Sequence, residues 1–237
     1  MEKKGVAKHS QITISVAKGE KMLTDALFEL KILLSDLGNS EITAWIENEL
    51  NGYPPNKGCA PPPYRKLKGT MLGTIQSIEM GRIINRRMVI PIKTDKMSFV
   101  DTYIWDNITS IEKYANDDSK SENRQIPVDL RVANSIADIE LEPPYSQIIS
   151  AGIIIPPSKY TDITNGVKQK ILDILLLLEK TYGSINDYVI DFNSSKEKAK
   201  TAKQIINIVY NYSDNISVGD NNKIDKSLIG KENENEN

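Results

Sequence analysis

The stretch TAWIENELNGYP, residues 43–54, decides how the N-terminal part of the chain folds. Asn51 and Gly52 interrupt it, and such a pair is typical of the end of a helix. Tyr53 is predicted to be extended, because a proline disfavours the α region in the residue that precedes it. The stretch therefore predicts a helix that ends at the Asn-Gly pair, with Trp45 as a buried anchor on its inner side.

Another helix is predicted directly before this one, in EKMLTDALFELKILLSDL, residues 20–37. Its leucines recur at steps of four and three residues, which places them on one helical face. Gly38 can end this helix, and Asn39 or Ser40 can cap the next one. The two helices are expected to form an N-terminal helical hairpin within residues 1–53. On the second helix we expect the carboxylates to face water or a partner: Glu41, Glu47 and Glu49.

The composition is that of a globular chain with few side chains suited to catalysis. Of 237 residues, 39% are apolar and 26% are charged, and the formal net charge is −2. His9 is the only histidine and Cys59 the only cysteine, which excludes the common zinc sites and an internal disulfide. No phosphate-binding glycine motif occurs, and we predict no metal and no cofactor. His9 lies in a polar N-terminal segment, a poor position for nucleophilic catalysis.

No segment is predicted to enter a membrane. The N-terminal residues lack the continuous apolar run of a secretory signal. The longest apolar run, ILDILLLL at residues 171–178, contains Asp173 and is too short to span a bilayer. We expect a soluble cytoplasmic protein, and the single cysteine fits a reducing compartment.

The middle of the chain, residues 64–192, is predicted to be a mixed α/β body that follows a proline-rich linker at 54–63. Strands rich in β-branched residues are expected in three segments: 64–78, 86–94 and 146–156. Helices are expected in three others: 102–115, 130–142 and 162–183, the last with a broad apolar stripe. Together with the helical hairpin, this organisation predicts an α+β fold.

A small C-terminal β tail is predicted at residues 204–230, and a low-complexity end at 231–237 is predicted to be disordered. The β-branched and aromatic residues of the tail are interrupted by Ser-Asp-Asn and Gly-Asp-Asn-Asn, which suit tight turns. Short strands with free edges pair with other chains, so we expect the tail to hold copies of the protein together. The candidate oligomerisation residues are Ile208, Tyr210, Tyr212, Ile216, Val218 and Ile224. The alternative is that the tail completes the sheet of the body.

Two groups of basic residues flank the first two predicted strands. They are Arg65, Lys66 and Lys68 before one strand, and Arg82, Arg86 and Arg87 around the next. Near one sheet edge they would either contact the phosphates of a nucleic acid or protect an edge strand from aggregation. The near-neutral total charge favours edge protection, so nucleic acid is the less favoured partner. Tyr103 and Trp105 can stack on bases, but in a predicted helix they are expected to belong to the core.

The segment from Trp45 to Tyr53 resembles the signature of the AbiTii family, a bacterial domain linked to abortive infection. A leucine-rich first helix ending near LLSDLG and the late helix VKQKILDILLLLEK add to the resemblance. The resemblance implies a role in bacterial defence against phage, and it carries over no catalytic residues. The residues that match the signature and are candidates for partner binding are Trp45, Glu49, Asn51, Gly52 and Tyr53, with Leu50 between them.

Two functions are compatible with these features. The first is an antiphage defence component that acts by binding, as a sensing or regulatory subunit that forms homo-oligomers and contacts a phage or defence-system protein. The alternative is a toxin-like effector enzyme that attacks nucleic acid or nucleotides. That enzyme would need at least two acidic residues and a lysine in one cleft. No acidic pair in the sequence, Glu140 and Glu142 included, stands out from the rest, so the binding function is favoured.

Overall fold

The computed structural model describes residues 9–55, 60–93, 99–116, 124–142, 145–192 and 194–210. In this part of the chain the fold is α+β, as predicted. The helices are α1 (Gln11–Lys18), α2 (Leu23–Leu33), α3 (Ser40–Asn51), α4 (Ile108–Ala115), α5 (Leu130–Ile136), α6 (Pro157–Tyr182) and α7 (Ser195–Tyr210). The strands are β1 (Lys66–Glu79), β2 (Arg82–Val89), β3 (Phe99–Tyr103), β4 (Arg124–Pro127) and β5 (Ser146–Ile155).

The two helices of the predicted N-terminal hairpin are present as α2 and α3. The five leucines of the predicted face in segment 20–37 are all buried: Leu23, Leu27, Leu30, Leu34 and Leu37. Gly38 ends the segment in the left-handed region with φ 65°. The Asn39 side chain then caps α3 by accepting hydrogen bonds from the amides of Glu41 and Ile42. The leucine spacing and the two end signals therefore predicted these helices.

Helix α1 was not predicted, and it adds a third helix to the N-terminal region. Ile12, Ile14 and Val16 alternate with threonine and serine, which is also the two-residue period of a strand. Ile12 and Val16 are nevertheless buried in the main core, which α1 joins beside α6. His9 lies directly before this helix and is exposed.

The described sheet is antiparallel and has the order β2-β1-β5-β4. Strand β1 lies at the centre of the sheet. One edge of β1 pairs with β5; its other edge pairs first with β3 and then, further along the strand, with β2. Odd-numbered residues of β1 from Leu67 to Gly73 are buried, whereas even-numbered residues from Lys66 to Ile78 are half-buried or exposed. Helices therefore cover one face of the sheet, and we call the other the open face.

The main hydrophobic core lies between the N-terminal helices, α6, α7 and the covered face of the sheet. The predicted stripe on α6 is buried at six positions and half-buried at its last, Tyr182; the buried ones are Ile163, Val167, Ile171, Ile174, Leu175 and Leu178. A second, smaller core lies between β1, β5 and α5, where Met71 and Ile148 meet Ala133. Burial of these large aliphatic side chains stabilises the fold by about 1.5–3 kcal/mol each before entropy is considered.

Several predicted boundaries in the body are wrong. The segment predicted as one helix over 102–115 instead ends β3 at Tyr103, continues as a loop, and enters α4 at Ile108. The Asn107 side chain caps α4 by accepting from the amide of Ser110. Strand β2 begins earlier than predicted, and the helix predicted at 130–142 ends at Ile136.

The predicted β structure is wrong for residues 204–210, which form the last part of α7. Ile205 and Ile208 are buried on one side of this helix, and Tyr210 is its last residue. Helix period overrides β propensity here, because β-branched residues carry only a weak preference against helix. The other oligomerisation candidates lie outside the described residues: Tyr212, Ile216, Val218 and Ile224.

Candidate functional site

Glu49 and Arg65 form an ion pair in the protein interior, and both side chains are fully buried. Arg65 donates from Nη2 to Glu49 Oε2 at 2.6 Å and from Nε to Oε1 at 3.0 Å. The prediction that Glu49 faces water or a partner is therefore wrong. Burial lowers the pKa of the Arg65 guanidinium, but the charge and hydrogen bonds of Glu49 raise that pKa by more, so Arg65 stays ionised.

Aromatic side chains complete the hydrogen bonding of this carboxylate. The hydroxyls of Tyr53 and Tyr64 donate to Glu49 Oε1 at 2.7 and 2.6 Å, and Trp45 Nε1 donates to the Tyr64 hydroxyl at 2.8 Å. Burial, followed by the charge of Glu49, raises the pKa of both tyrosines, so both hydroxyls keep the protons that they donate. We call these five residues the motif network.

The motif network holds the backbone of residues 104–107 in place. Arg65 Nη1 donates to the carbonyl oxygens of Ile104 at 3.1 Å and Asp106 at 2.6 Å. The amide of Tyr53 donates to the carbonyl of Trp105 at 2.8 Å. A Cβ on Gly52, whose φ is 91°, would lie 2.9 Å from that same carbonyl oxygen, so the close approach requires glycine.

Two clefts meet at the segment that the network holds. The first has a volume of about 500 Å³, is lined on one side by Asn51 and Gly52, and reaches the start of α4. The second has a volume of about 320 Å³ and is lined by Tyr103, Arg124 and the end of β3. Trp105 and Asp106 line both clefts. Trp105 is half-buried and is shared by the linings of both clefts.

An ion pair joins two residues that line the second cleft, Arg124 and Asp106. Arg124 binds both carboxylate oxygens of Asp106, at 2.8 and 2.9 Å, and its guanidinium lies 4.5 Å from the centre of the Tyr114 ring. Such a two-point contact sets the direction as well as the strength of the interaction. The side chain and carbonyl of Asp106 are thus held by different arginines, Arg124 and Arg65.

The family-motif residues divide into interior and surface groups. Trp45, Glu49 and Tyr53 are buried, whereas Asn51 is exposed and Gly52 half-buried at the first cleft. Trp105 was assigned to a helical core, and that prediction is wrong. Its spacing of two from Tyr103 is the strand period and was the signal that could have placed both on one side. Their ring centres are 6.3 Å apart.

The six basic residues named beside the first two predicted strands do not form one patch. Arg65 is buried in the motif network. Three of them lie on the open face: Lys66, Lys68 and Arg87, which is the register partner of Thr74. The two others are the Cα partners of odd-numbered β1 residues and belong to the opposite side: Arg82 and Arg86.

The acidic residues at the clefts do not form a recognisable catalytic arrangement. Glu47 and Asp106 line the first cleft, and neither cleft has a lysine in its lining. Among the described residues, no group of three or more His, Cys, Asp or Glu side chains could hold a metal ion. Neither of these two clefts therefore holds the two acidic residues and lysine that the effector enzyme would need.

Comparison with known proteins identifies the family. The AbiTii family model matches residues 10–204, well over half of the 237-residue chain. The match includes the motif network and both clefts. No curated protein and no solved structure matches the chain. Within the described ranges, no helix has the length and apolar character needed to cross a membrane.

Proposed function

The chain belongs to the AbiTii family, and from this premise we propose that it acts by binding, as a sensing or regulatory component, with the ligand seated at Trp105. Family membership indicates an abortive-infection, antiphage defence protein. The proposal concerns how such a protein acts. It names the clefts on either side of Trp105 as the place where a partner is recognised.

The observation that carries the proposal is the division of labour within the family motif. Its buried side chains, Trp45, Glu49 and Tyr53, hydrogen-bond within the motif network. Arg65 of that network and the Tyr53 amide donate to the backbone around Trp105. A pre-formed backbone lowers the entropic cost of binding, because the site needs no ordering when the ligand arrives. Clefts with an aromatic ring and a few fixed polar groups are the usual form of a recognition site. The arrangement supports binding better than catalysis.

The substitution Trp105→Ala tests this proposal. We expect cells that express the variant to lose protection against phage in a plating assay, because the ring between the two clefts is gone. The variant should fold, since Trp105 is half-buried and outside the main core. Phe28→Ala is the matched control, because this aromatic ring is 51% exposed on α2, away from the clefts. Full protection by a folded Trp105→Ala protein would overturn the proposal.

We also propose that the chain forms homo-oligomers through residues 211–230. Helix α7 packs on the body through Ile205, Ile208 and Val209. The segment that follows keeps apolar residues between turn-forming Asn and Gly, a composition that suits pairing between chains.

Truncation separates assembly from folding. A chain that stops after Tyr210 keeps α7, and we expect it to show a smaller mass in light scattering than the full chain. A chain that lacks only residues 231–237 is the control and should keep the full-length mass. If the shorter chain retains the full-length oligomeric state, residues 211–230 do not drive assembly.

A further inference from the structure

The open face of the sheet carries amide, basic and aromatic side chains in addition to those of the Trp105 clefts. Its centre is the set of even-numbered β1 residues, which are half-buried or exposed. The strand register places Tyr103 opposite Lys66 and Asp101 opposite Lys68 on β3. On β2 it places Arg87 opposite Thr74. In an antiparallel pair, side chains of opposite residues lie on the same face, so these groups share one surface.

Amide side chains form a row across this face. Gln76 Nε2 donates to Asn85 Oδ1 at 3.2 Å, and Gln147 Nε2 donates to Gln76 Oε1 at 3.4 Å. The row spans β2, β1 and β5 and is solvent-accessible. Each amide carries donors and acceptors beyond those used within the row, so it can hydrogen-bond the edge of a planar ligand.

The face carries more positive than negative charge. Lys66, Lys68 and Arg87 are its basic residues on β1 and β2, and Asp101 is the acidic residue beside them on β3. Lys66 pairs with Asp101 at 2.8 Å. Arg87 donates to the neutral side chain of Gln125 at 3.3 Å, so its charge is not neutralised by that contact. An anionic ligand complements this surplus.

Aromatic rings lie at the end of the open face where β3 pairs with the start of β1. Tyr103 is the register partner of Lys66, and its ring lies 6.3 Å from that of Trp105. Both rings line the second cleft. Phe99, the register partner of Thr70, is 37% exposed. Tyr103 and Phe99 therefore share one end of the open face with Lys66 and Lys68, and the neighbouring Trp105 ring joins that end to the second cleft.

We propose that the open face and the second cleft bind single-stranded nucleic acid, with unpaired bases stacked on Tyr103 and Trp105 and phosphates against Lys68 and Arg87. This assignment rests on the proposed role of Trp105 in recognition and names the ligand class. Cationic side chains bind phosphates, and aromatic rings stack on bases without regard to sequence. A single strand fits because its bases are free to stack, whereas the bases of a duplex are already paired.

Fluorescence anisotropy with labelled oligo-dT and oligo-U of about 20 nucleotides tests the proposal. We expect binding that weakens steeply as salt rises from about 50 to 200 mM. The double variant Lys68→Gln/Arg87→Gln should lower the slope of log affinity against log salt by about two. Trp105→Ala should weaken binding about tenfold or more, because stacking of a base is lost.

The control variant is Arg131→Gln/Lys180→Gln, which removes as many charges from exposed positions on α5 and α6. It should leave affinity and salt slope unchanged. Absence of binding near 50 mM salt, or an equal loss in the control, overturns the proposal. Binding of poly-glutamate as tightly as of nucleic acid also overturns it, because the surface would then select any polyanion or an acidic protein.

The nucleic-acid and phage assays separate the two proposals. If Trp105→Ala abolishes phage protection while the wild-type chain binds no nucleic acid, the recognition role stands and the ligand assignment fails. If Trp105→Ala weakens nucleic-acid binding but protects cells fully, the ligand assignment stands and the recognition role in defence fails.

Discussion

Glu49 and Arg65 show, at the scale of single residues, how two charges can be kept in the interior of this fold. Transfer of each ion from water costs several kcal/mol, and that cost is offset only when partners occupy the remaining hydrogen-bonding positions. Tyr53, Tyr64 and two backbone carbonyls provide those partners. Loss of either ion would leave the other unpaired and cost about 3–5 kcal/mol. The buried pair therefore adds little net stability to the fold, but it fixes the local geometry around Glu49 and Arg65.

Trp45 gives the first prediction at this scale. Trp45→Ala should lower the free energy of unfolding by about 3–5 kcal/mol, because a fully buried ring is removed and the Tyr64 hydroxyl loses its donor. Chemical denaturation measures the change. The same substitution at half-buried Trp105 should cost clearly less. Equal losses at both positions would show that Trp45 is not the anchor described here.

The burial of Trp45 could be predicted from sequence, whereas that of Glu49 could not. A large apolar ring on the inner side of an amphipathic helix is favourable only when it is buried in the core. A carboxylate on a helix is nearly always solvated, so nothing local distinguishes Glu49 from exposed Glu47. Its partner Arg65 is 16 residues away, beyond the proline-rich segment. Only the folded chain brings the two together.

At the scale of elements, one carboxylate adds a polar contact to the apolar packing of α1 against α6. Glu179 accepts hydrogen bonds from the Ser10 amide and the Thr13 hydroxyl at 2.7 Å, and His9 Nδ1 lies 2.7 Å from its other oxygen. These groups are at the start of α1. The pairing therefore fastens the N-terminal helix to the longest helix of the body.

This contact predicts a dependence of stability on pH. Burial raises the pKa of Glu179, but the hydrogen bonds from His9, Thr13 and Ser10 lower it by more, so the folded value is below the usual one. A lowered carboxylate pKa contributes stability above the unfolded value, about 4.3, and that contribution is lost as pH falls through the folded value.

Thermal melts of the wild type and Glu179→Gln measure this contribution. The melting temperatures should differ at pH 7, with the variant less stable, and the difference should shrink as pH falls below about 4. Glu140→Gln, at an exposed position, should show no such convergence. A difference that stays constant down to pH 2 would exclude the carboxylate as its source.

Elements with strong periodicity could be predicted, and elements shaped by tertiary contacts could not. The leucine spacing of α2, the stripe of α6 and the β-branched run of β5 each determine their own structure. The loop at 104–107 depends on donors from Arg65 and Tyr53, which no local pattern reveals. The end of α7 is helical because its isoleucines pack on the main core, despite their β propensity.

At the scale of the whole molecule, the N-terminal helices and the sheet are joined through the motif network. Helix α3 contributes Trp45 and Glu49, the start of the sheet contributes Arg65, and both meet the loop that carries Trp105. The family match at 10–204 covers all these parts, whereas residues 211–230 lie beyond it. The proposed recognition site and the proposed assembly segment therefore occupy separate parts of the chain.

Hydrogen exchange in the Arg65→Lys variant tests the claim that the motif network positions the Trp105 loop. Lysine keeps the charge near Glu49 but lacks the planar fork that also reaches the carbonyls of Ile104 and Asp106. We predict that the amides of Tyr53 and Ile104 exchange faster than in the wild type, while amides at the centre of α6 keep their protection. Unchanged exchange at the loop, or the same increase throughout α6, would contradict the claim.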